Sequence, residues 1–259
     1  MGIRLDLHDR VAVIVLDDPK IRNALTVENR ISLRETLAPL ASDDRVDVVI
    51  IAGAEENFCA GGDVRTMGET DPAKIRERME CVAKTAEVIA SFPKLTIAAV
   101  AGHAAGAGVS LACLCDMVIA EETATFTFSF LKLGLGPDWG LTWSLPRRVG
   151  ASQAKRLILS RAAIGAVEAH RIGLVDVVLS TEDARRTAMN MAKDLCGGPR
   201  ESIGAVKTML SDLDGLRAAL KRETAMQLER FPHWEHQEGA RAFREKRHAD
   251  YRLARTVSV

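Results

Sequence analysis

Thr96-Ile97-Ala98-Ala99-Val100-Ala101-Gly102-His103-Ala104-Ala105-Gly106-Ala107-Gly108 decides how this chain is read. The first five residues are a strand-like apolar run. The rest is a glycine-rich turn that leaves backbone N–H groups free at a helix start. A second such turn, Phe58-Cys59-Ala60-Gly61-Gly62-Asp63, follows another strand-like run at Val46–Ala52. Two such donors converging on one carbonyl oxygen form an oxyanion hole. The apolar stretch from Thr96 to Ala120 carries His103 and Asp116, and its first half holds three glycines. It therefore reads as strand, turn and buried helix rather than as a membrane span.

Outward from these turns, strand-type runs recur at Val11–Leu16, Met117–Ala120 and Val175–Leu179. Several are continuously apolar and β-branched, as strands buried on both faces are. Helical patterns lie between them. Asp71-Pro72 is an N-cap acid followed by proline at the first helical position, and Ile75, Met79, Val82, Ala86 and Ile89 step by four and three up to Pro93. Further helical segments fall near Glu28–Leu37, Ser152–Leu159, Val167–Arg171 and Asp183–Leu195, and alternation of strands with helices predicts an α/β domain. Beyond Gly197-Gly198-Pro199 only helical stretches follow, around Ile203–Leu210, Leu216–Leu228 and Gly239–Arg247. This divides the chain into a core, 1–198, and a helical tail, 199–259, that packs on the core or on another subunit.

At 259 residues, with 47% hydrophobic and 27% charged residues, the composition is that of a globular protein. Lys+Arg and Asp+Glu balance at 35 each, which argues against nucleic acid or an anionic membrane as partner. The cysteines (Cys59, Cys81, Cys113, Cys115, Cys196) are odd in number and lack metal-binding spacing, and Val11–Leu16 is reached without an apolar leader. A cytoplasmic protein with reduced, mostly buried cysteines and no metal is expected. A dinucleotide site is not: the second turn reads Gly102-x-x-x-Gly106-x-Gly108, not G-x-G-x-x-G. From the turns alone, tight packing of strand on helix remains an equal reading.

The two turns, followed by Leu114-Cys115-Asp116-Met117-Val118-Ile119-Ala120, resemble the signature of the enoyl-CoA hydratase/isomerase (crotonase) family. Arg22-Asn23-Ala24-Leu25, Glu168-Ala169-x-x-x-Gly173-Leu174-Val175-Asp176 and Glu238-Gly239-x-x-x-Phe243-x-Glu245-Lys246-Arg247 are similar to its other motifs, in the family's order and over nearly the whole chain. The resemblance implies a spiral of ββα units with a C-terminal helical region that builds homotrimers or homohexamers. It implies an acyl-CoA substrate, with coenzyme A part of that substrate rather than a separate cofactor. The oxyanion-hole amides map onto Gly62 and Ala107. Gly62, Asp63, Val64 and Arg65 fall at the substrate, Ala24 and Ala60 beside the CoA adenine and pantetheine, and Lys246 (with Arg247) within reach of a CoA phosphate or solvated in the tail.

Hydratases of the family hold water between two glutamates. Here those positions are Ser110 and Phe130, which do no carboxylate chemistry. Glu121 and Glu122 follow the strand ending at Ala120 and read as solvated. Asp138, in Gly134-Leu135-Gly136-Pro137-Asp138-Trp139-Gly140, falls where single-carboxylate enoyl-CoA isomerases carry their acid, and the Pro-Asp sequence also resembles the phenylacetate-pathway epoxide-CoA isomerase. One carboxylate suffices to move a proton from the α- to the γ-carbon. Phe128, Phe130, Leu135, Trp139 and Trp143 are expected to wall it with apolar surface and raise its pKa, Phe130 and Trp139 also touching substrate. Gly-Pro-Asp-Trp-Gly equally suits a β-turn. His103 reads as a packed, hydrogen-bonded residue, and Ser110 lacks an apparent His–Asp pair. The expected activity is a double-bond isomerase acting through a thioester enolate; a hydratase or lyase, and a non-catalytic CoA-thioester-binding subunit, are the alternatives.

Overall fold

The computed structural model describes residues 2–180 and 183–252. Among them are strands β1 (Ile3–His8), β2 (Val11–Leu16), β3 (Val48–Gly53), β4 (Leu95–Val100), β5 (His103–Ala105), β6 (Met117–Glu121), β7 (Thr125–Thr127), β8 (Ala163–Gly165) and β9 (Val177–Leu179). The helices are α1 (Val27–Leu40), α2 (Pro72–Ala90), α3 (Ala107–Leu114), α4 (Leu141–Val149), α5 (Ala151–Leu159), α6 (Ala166–Arg171), α7 (Ala184–Leu195), α8 (Arg200–Leu210), α9 (Leu213–Arg230) and α10 (Trp234–Arg244).

One sheet runs β1-β2-β3-β4-β6-β9 and a smaller one β5-β7-β8. Only β1 is antiparallel in the large sheet. The continuous apolar runs of its central strands are explained by burial on both faces. Ile14, Val49, Ile51, Ala98 and Val118 face the core shared with α1, α2 and α3. Val13, Val15, Val48, Ile50, Ile97 and Ile119 face Ala184, Ala188 and Ala192, a four-residue repeat of small side chains that lets α7 lie close to the sheet. The chain alternates between sheets: β4 is followed by β5 and α3, and β6 by β7. This is the ββα alternation expected of the crotonase-like fold.

The parallel register pairs Ile50 with Ile97, so β3 and β4 end side by side and their two glycine turns emerge together. The Thr96–Ala120 stretch becomes β4, β5, α3 and most of β6, and no helix among the described residues is long and apolar enough to cross a membrane. The cysteines are free, with Cys59, Cys113 and Cys115 buried.

The tail helices fold back over the core. Arg217 of α9 pairs with Glu87 of α2 at 2.7 Å, and Gln227 Nε2 donates to the Gly136 carbonyl at 2.9 Å. His236 of α10 meets the Leu133 carbonyl at 2.8 Å, and Gly239 lies so close to Leu133 that a Cβ there would stand 2.7 Å from its carbonyl carbon.

Candidate active site

Three loops are braided where the parallel strands end. Phe58 N–H donates to the Ala101 carbonyl at 2.9 Å, Cys59 N–H to His103 at 3.0 Å, and Ala105 N–H back to Cys59 at 2.9 Å. Leu25 N–H donates to Gly61 at 2.7 Å, and Ala60 N–H to Arg22 at 2.9 Å. Gly61 sits at φ +97°, and a Cβ there would be 2.6 Å from the Ala105 oxygen and 3.4 Å from the Ala107 nitrogen. Glycine is needed at this crossing because only it combines that φ with so close an approach.

The consequence is the pairing of two amides. Ala107 opens α3, so its N–H has no partner within the helix. Neither Ala107 N–H nor Gly62 N–H donates to another protein group among the described residues. Both residues line one cavity of about 750 Å³. A thioester oxygen placed between them receives two hydrogen bonds and the positive end of α3.

Asp138 lines the same cavity, and it is the only carboxylate among the described residues that does. It is half-buried, and its Oδ1 is shielded from solvent without a hydrogen-bond partner. Burial pushes its carboxyl above the usual 3.8, opposed by the positive charges of Arg30 and Arg78. Of the expected apolar wall, Phe130 and Leu135 line the cavity with Asp138, joined by Phe231 from the tail. Phe128 and Trp139 are wholly buried in the core behind it. Trp143 turns away: its Nε1 donates to Asp212 at 3.3 Å, and the Arg147 guanidinium stacks on its ring.

Of the residues predicted at the site, Gly62, Ala107, Asp138, Ala60, Val64 and Phe130 come together on the cavity wall. Ala24, Asp63, Arg65, Trp139 and Lys246 do not. Ala24 is buried, its carbonyl accepting from Asn29 Nδ2 at 2.9 Å. Asp63 and Arg65 close on one another as an ion pair at 2.9 Å, and Arg65 faces a neighbouring groove. Trp139 takes φ +59°, and its ring is buried in the core. Lys246 is exposed off the cavity, whereas its neighbour Arg247 lines it while bound to Glu238 at 2.6 Å.

Two further expectations are corrected. His103 is exposed at the rim rather than packed, its Nδ1 2.5 Å from Thr125 Oγ1. Glu121 is the last residue of β6, its Oε1 accepting from Ala184 N–H at 3.4 Å rather than being free in solvent. Ser110, read from the sequence as lacking a His–Asp pair, is buried in α3, its hydroxyl donating to the Gly106 carbonyl at 3.4 Å.

Arg30, Arg78 and Glu223 were not singled out from the sequence. A Cβ on residue 62 would lie 3.2 Å from Arg78 Nη2 and 3.9 Å from Arg30 Nη2, so both guanidinium groups sit beside the amide pair. Glu223 of α9 accepts from Gly140 N–H at 2.7 Å, Thr142 N–H at 2.9 Å and Thr142 Oγ1 at 2.7 Å. It thereby caps α4, which has no capping side chain of its own, and fixes the turn that carries Asp138. A signal for all three exists. Arg30 falls in register with Leu33 and Leu37, Arg78 with Ile75 and Val82, and Glu223 with Leu216, Leu220 and Gln227. A charged residue on an apolar stripe is either paired or functional.

The sequence pattern of the family described as enoyl-CoA hydratase/isomerase matches residues 6–253. Crotonyl-CoA hydratase of Syntrophomonas wolfei is 30% identical over 255 residues, covering 96% of this chain and 97% of that protein. The 1,2-epoxyphenylacetyl-CoA isomerase of Escherichia coli is 34% identical over 211 residues, covering 79% of each. The crystal structure of an enoyl-CoA hydratase from Mycobacterium avium subsp. paratuberculosis superposes with a TM-score of 0.88 at 30% identity, over 97% of this chain and 98% of that one.

Proposed function

Because the chain belongs to the enoyl-CoA hydratase/isomerase family, we propose that it is an acyl-CoA isomerase that shifts a carbon–carbon double bond through a thioester enolate. One observation carries this reading: among the described residues a single carboxylate, Asp138, shares the cavity with the Gly62 and Ala107 amides. The thioester oxygen lies between those N–H groups, which bear the negative charge as the enolate develops. Each such donor is worth about 3 kcal/mol in the transition state. Asp138 removes the proton from the α-carbon of a 3-enoyl thioester, and the electron pair delocalises over the dienolate. The same carboxyl returns the proton at the γ-carbon, giving the conjugated 2-enoyl thioester. The step is redox-neutral, and coenzyme A enters as part of the substrate. Burial makes Asp138 a stronger base than a solvated aspartate.

Most of the similar proteins have hydratase in their names. Family hydratases use two glutamates, and here Ser110 is enclosed in α3 while Phe130 faces the cavity. The exposed Arg22, Lys132 and Arg161 at the mouth, with Arg247, suit the CoA phosphates. The implied trimer or hexamer belongs to the same proposal. It is supported by Val206, Met209 and Leu210, exposed apolar side chains on α8, and light scattering reads the mass.

The test offers the purified protein a 3-enoyl-CoA and a 2-enoyl-CoA, with and without Asp138→Asn. Formation of the conjugated thioester, slowed about 10²–10⁴-fold in the variant, supports the reading. Water addition to the 2-enoyl-CoA that is indifferent to the substitution makes the protein a hydratase. Binding without turnover makes it a CoA-thioester-binding subunit.

A further inference from the structure

The cavity has more positive charge than its chemistry requires. Arg30 is 2% exposed, and its Nε and Nη1 have no hydrogen-bond partner. Arg30 stands behind the cavity wall, with only its Nη2 placed beside residue 62, whereas Arg78 lines the cavity. Among the described residues Asp138 is the one carboxylate that lines it, and neither arginine forms an ion pair with Asp138. Asp63, the other carboxylate nearby, is already closed on Arg65. Buried guanidinium nitrogens without acceptors are uncommon in folded proteins, because burial strips their hydration and returns nothing.

Arg78 is held ready. Its Nη1 donates to Thr66 Oγ1 at 2.5 Å, and its guanidinium lies 5.2 Å from the centre of the Phe231 ring. Its Nη2 is then left beside residue 62, where Arg30 Nη2 also points. Gln227 lines the cavity with its Oε1 unpartnered, and Asp138 Oδ1 is likewise without a hydrogen-bond partner. The site thus holds unmet donors and unmet acceptors that do not meet one another. A ligand carboxylate set against the Arg78 and Arg30 Nη2 groups beside residue 62 accepts from these donors. The phosphates of coenzyme A do not reach this point, being a full pantetheine arm from the thioester, and the mouth has its own exposed cations for them.

We infer that the acyl end of the cavity is built for a short dicarboxylic acyl group, whose free carboxylate is held by Arg30 and Arg78 a few bonds from the thioester. This rests on the CoA-thioester reading above and names the acyl class that reading leaves open. Planar guanidinium forks recognise carboxylates through paired, charge-assisted hydrogen bonds, and two of them converging exclude a methyl terminus.

The test is binding rather than turnover, so that it stands apart from the isomerase assay. Glutaryl-CoA and pentanoyl-CoA have five acyl carbons each and no double bond to move. Titration calorimetry with the full chain is expected to show glutaryl-CoA binding at least about tenfold tighter. Arg30→Met and Arg78→Met, each checked for folding by circular dichroism, are each expected to bring that ratio toward one; Arg78 is nearer the surface and safeguards against misfolding of the first variant. Equal affinities in the unsubstituted protein, or a preference that survives both substitutions, overturn the inference while leaving the CoA reading intact. If neither thioester binds, both fall together.

Discussion

Replacing Glu223 with glutamine tests whether the tail helix α9 holds the turn carrying Asp138 with a buried carboxyl. Burial lifts Glu223 from 4.5 to about 7, against the hydrogen bonds from Thr142 and Gly140 that favour its charged form. The rise corresponds to about 3 kcal/mol, at about 1.4 kcal/mol for each unit of pKa. The sign follows from proton binding. Between pH 4.5 and about 7 the folded protein keeps this proton while the unfolded chain releases it, so stability falls as pH rises. Below 4.5 both states hold the proton, and well above 7 neither does. Urea unfolding at one protein concentration, from pH 4.5 to 8, gives the stability of each protein. The stability of the unsubstituted chain relative to Glu223→Gln is expected to fall by about 3 kcal/mol across that range. Contributions from titrating groups that do not interact with Glu223 cancel in the difference. A difference that stays flat from pH 5 to 8 would show that Glu223 ionises as freely in the native state as in the unfolded chain, refuting its burial as the dominant influence.

Three further outcomes are expected. Ala107→Pro places proline at the first position of α3, which tolerates it, while removing one donor and filling its space; kcat should fall about 10²–10³-fold with little change in Tm, and unaltered turnover would remove Ala107 from the hole. Gly61→Ala puts a methyl 2.6 Å from the Ala105 oxygen at φ +97°, so thermal unfolding should show a loss of about 1–3 kcal/mol as the two turns are forced apart. The acid limb of the kcat/KM profile for isomerisation should lie above the ordinary 3.8 of an aspartate, because activity needs Asp138 ionised and burial resists that; a limb at or below 3.8 contradicts the desolvated base.

Sequence legibility followed the strength of the local signal. The central strands were readable because burial on both faces makes them continuous apolar runs, as in Val11–Leu16. β1 was not, because it is an edge strand with Leu5 and Leu7 exposed and Arg4, Asp6 and His8 alternating with them. β5, β7 and β8 have three residues each, too few for periodicity, and exist because longer neighbours position them. α4 carries Pro146 and starts after Gly140, so its capping comes from Glu223, more than eighty positions away. At the site, the glycine turns and Asp138 were legible because each stands in contiguous sequence. Trp139 adjoins Asp138 in sequence, but its backbone lies at φ +59°, and its ring is buried off the cavity wall. The two arginines interrupt apolar stripes, which marks them as unusual, but what they face is set only by the fold, which brings α1 and α2 against Gly62.

The central claim is that one carboxyl carries the proton from one carbon to the next. A 3-enoyl-CoA deuterated at the α-carbon, followed through a single turnover in ordinary water by mass spectrometry, tests it. The account predicts that part of the deuterium arrives at the γ-carbon of the conjugated product, and that both transfer and turnover collapse in Asp138→Asn. Complete loss of the label to solvent, with the variant turning over as fast as the parent, would contradict it.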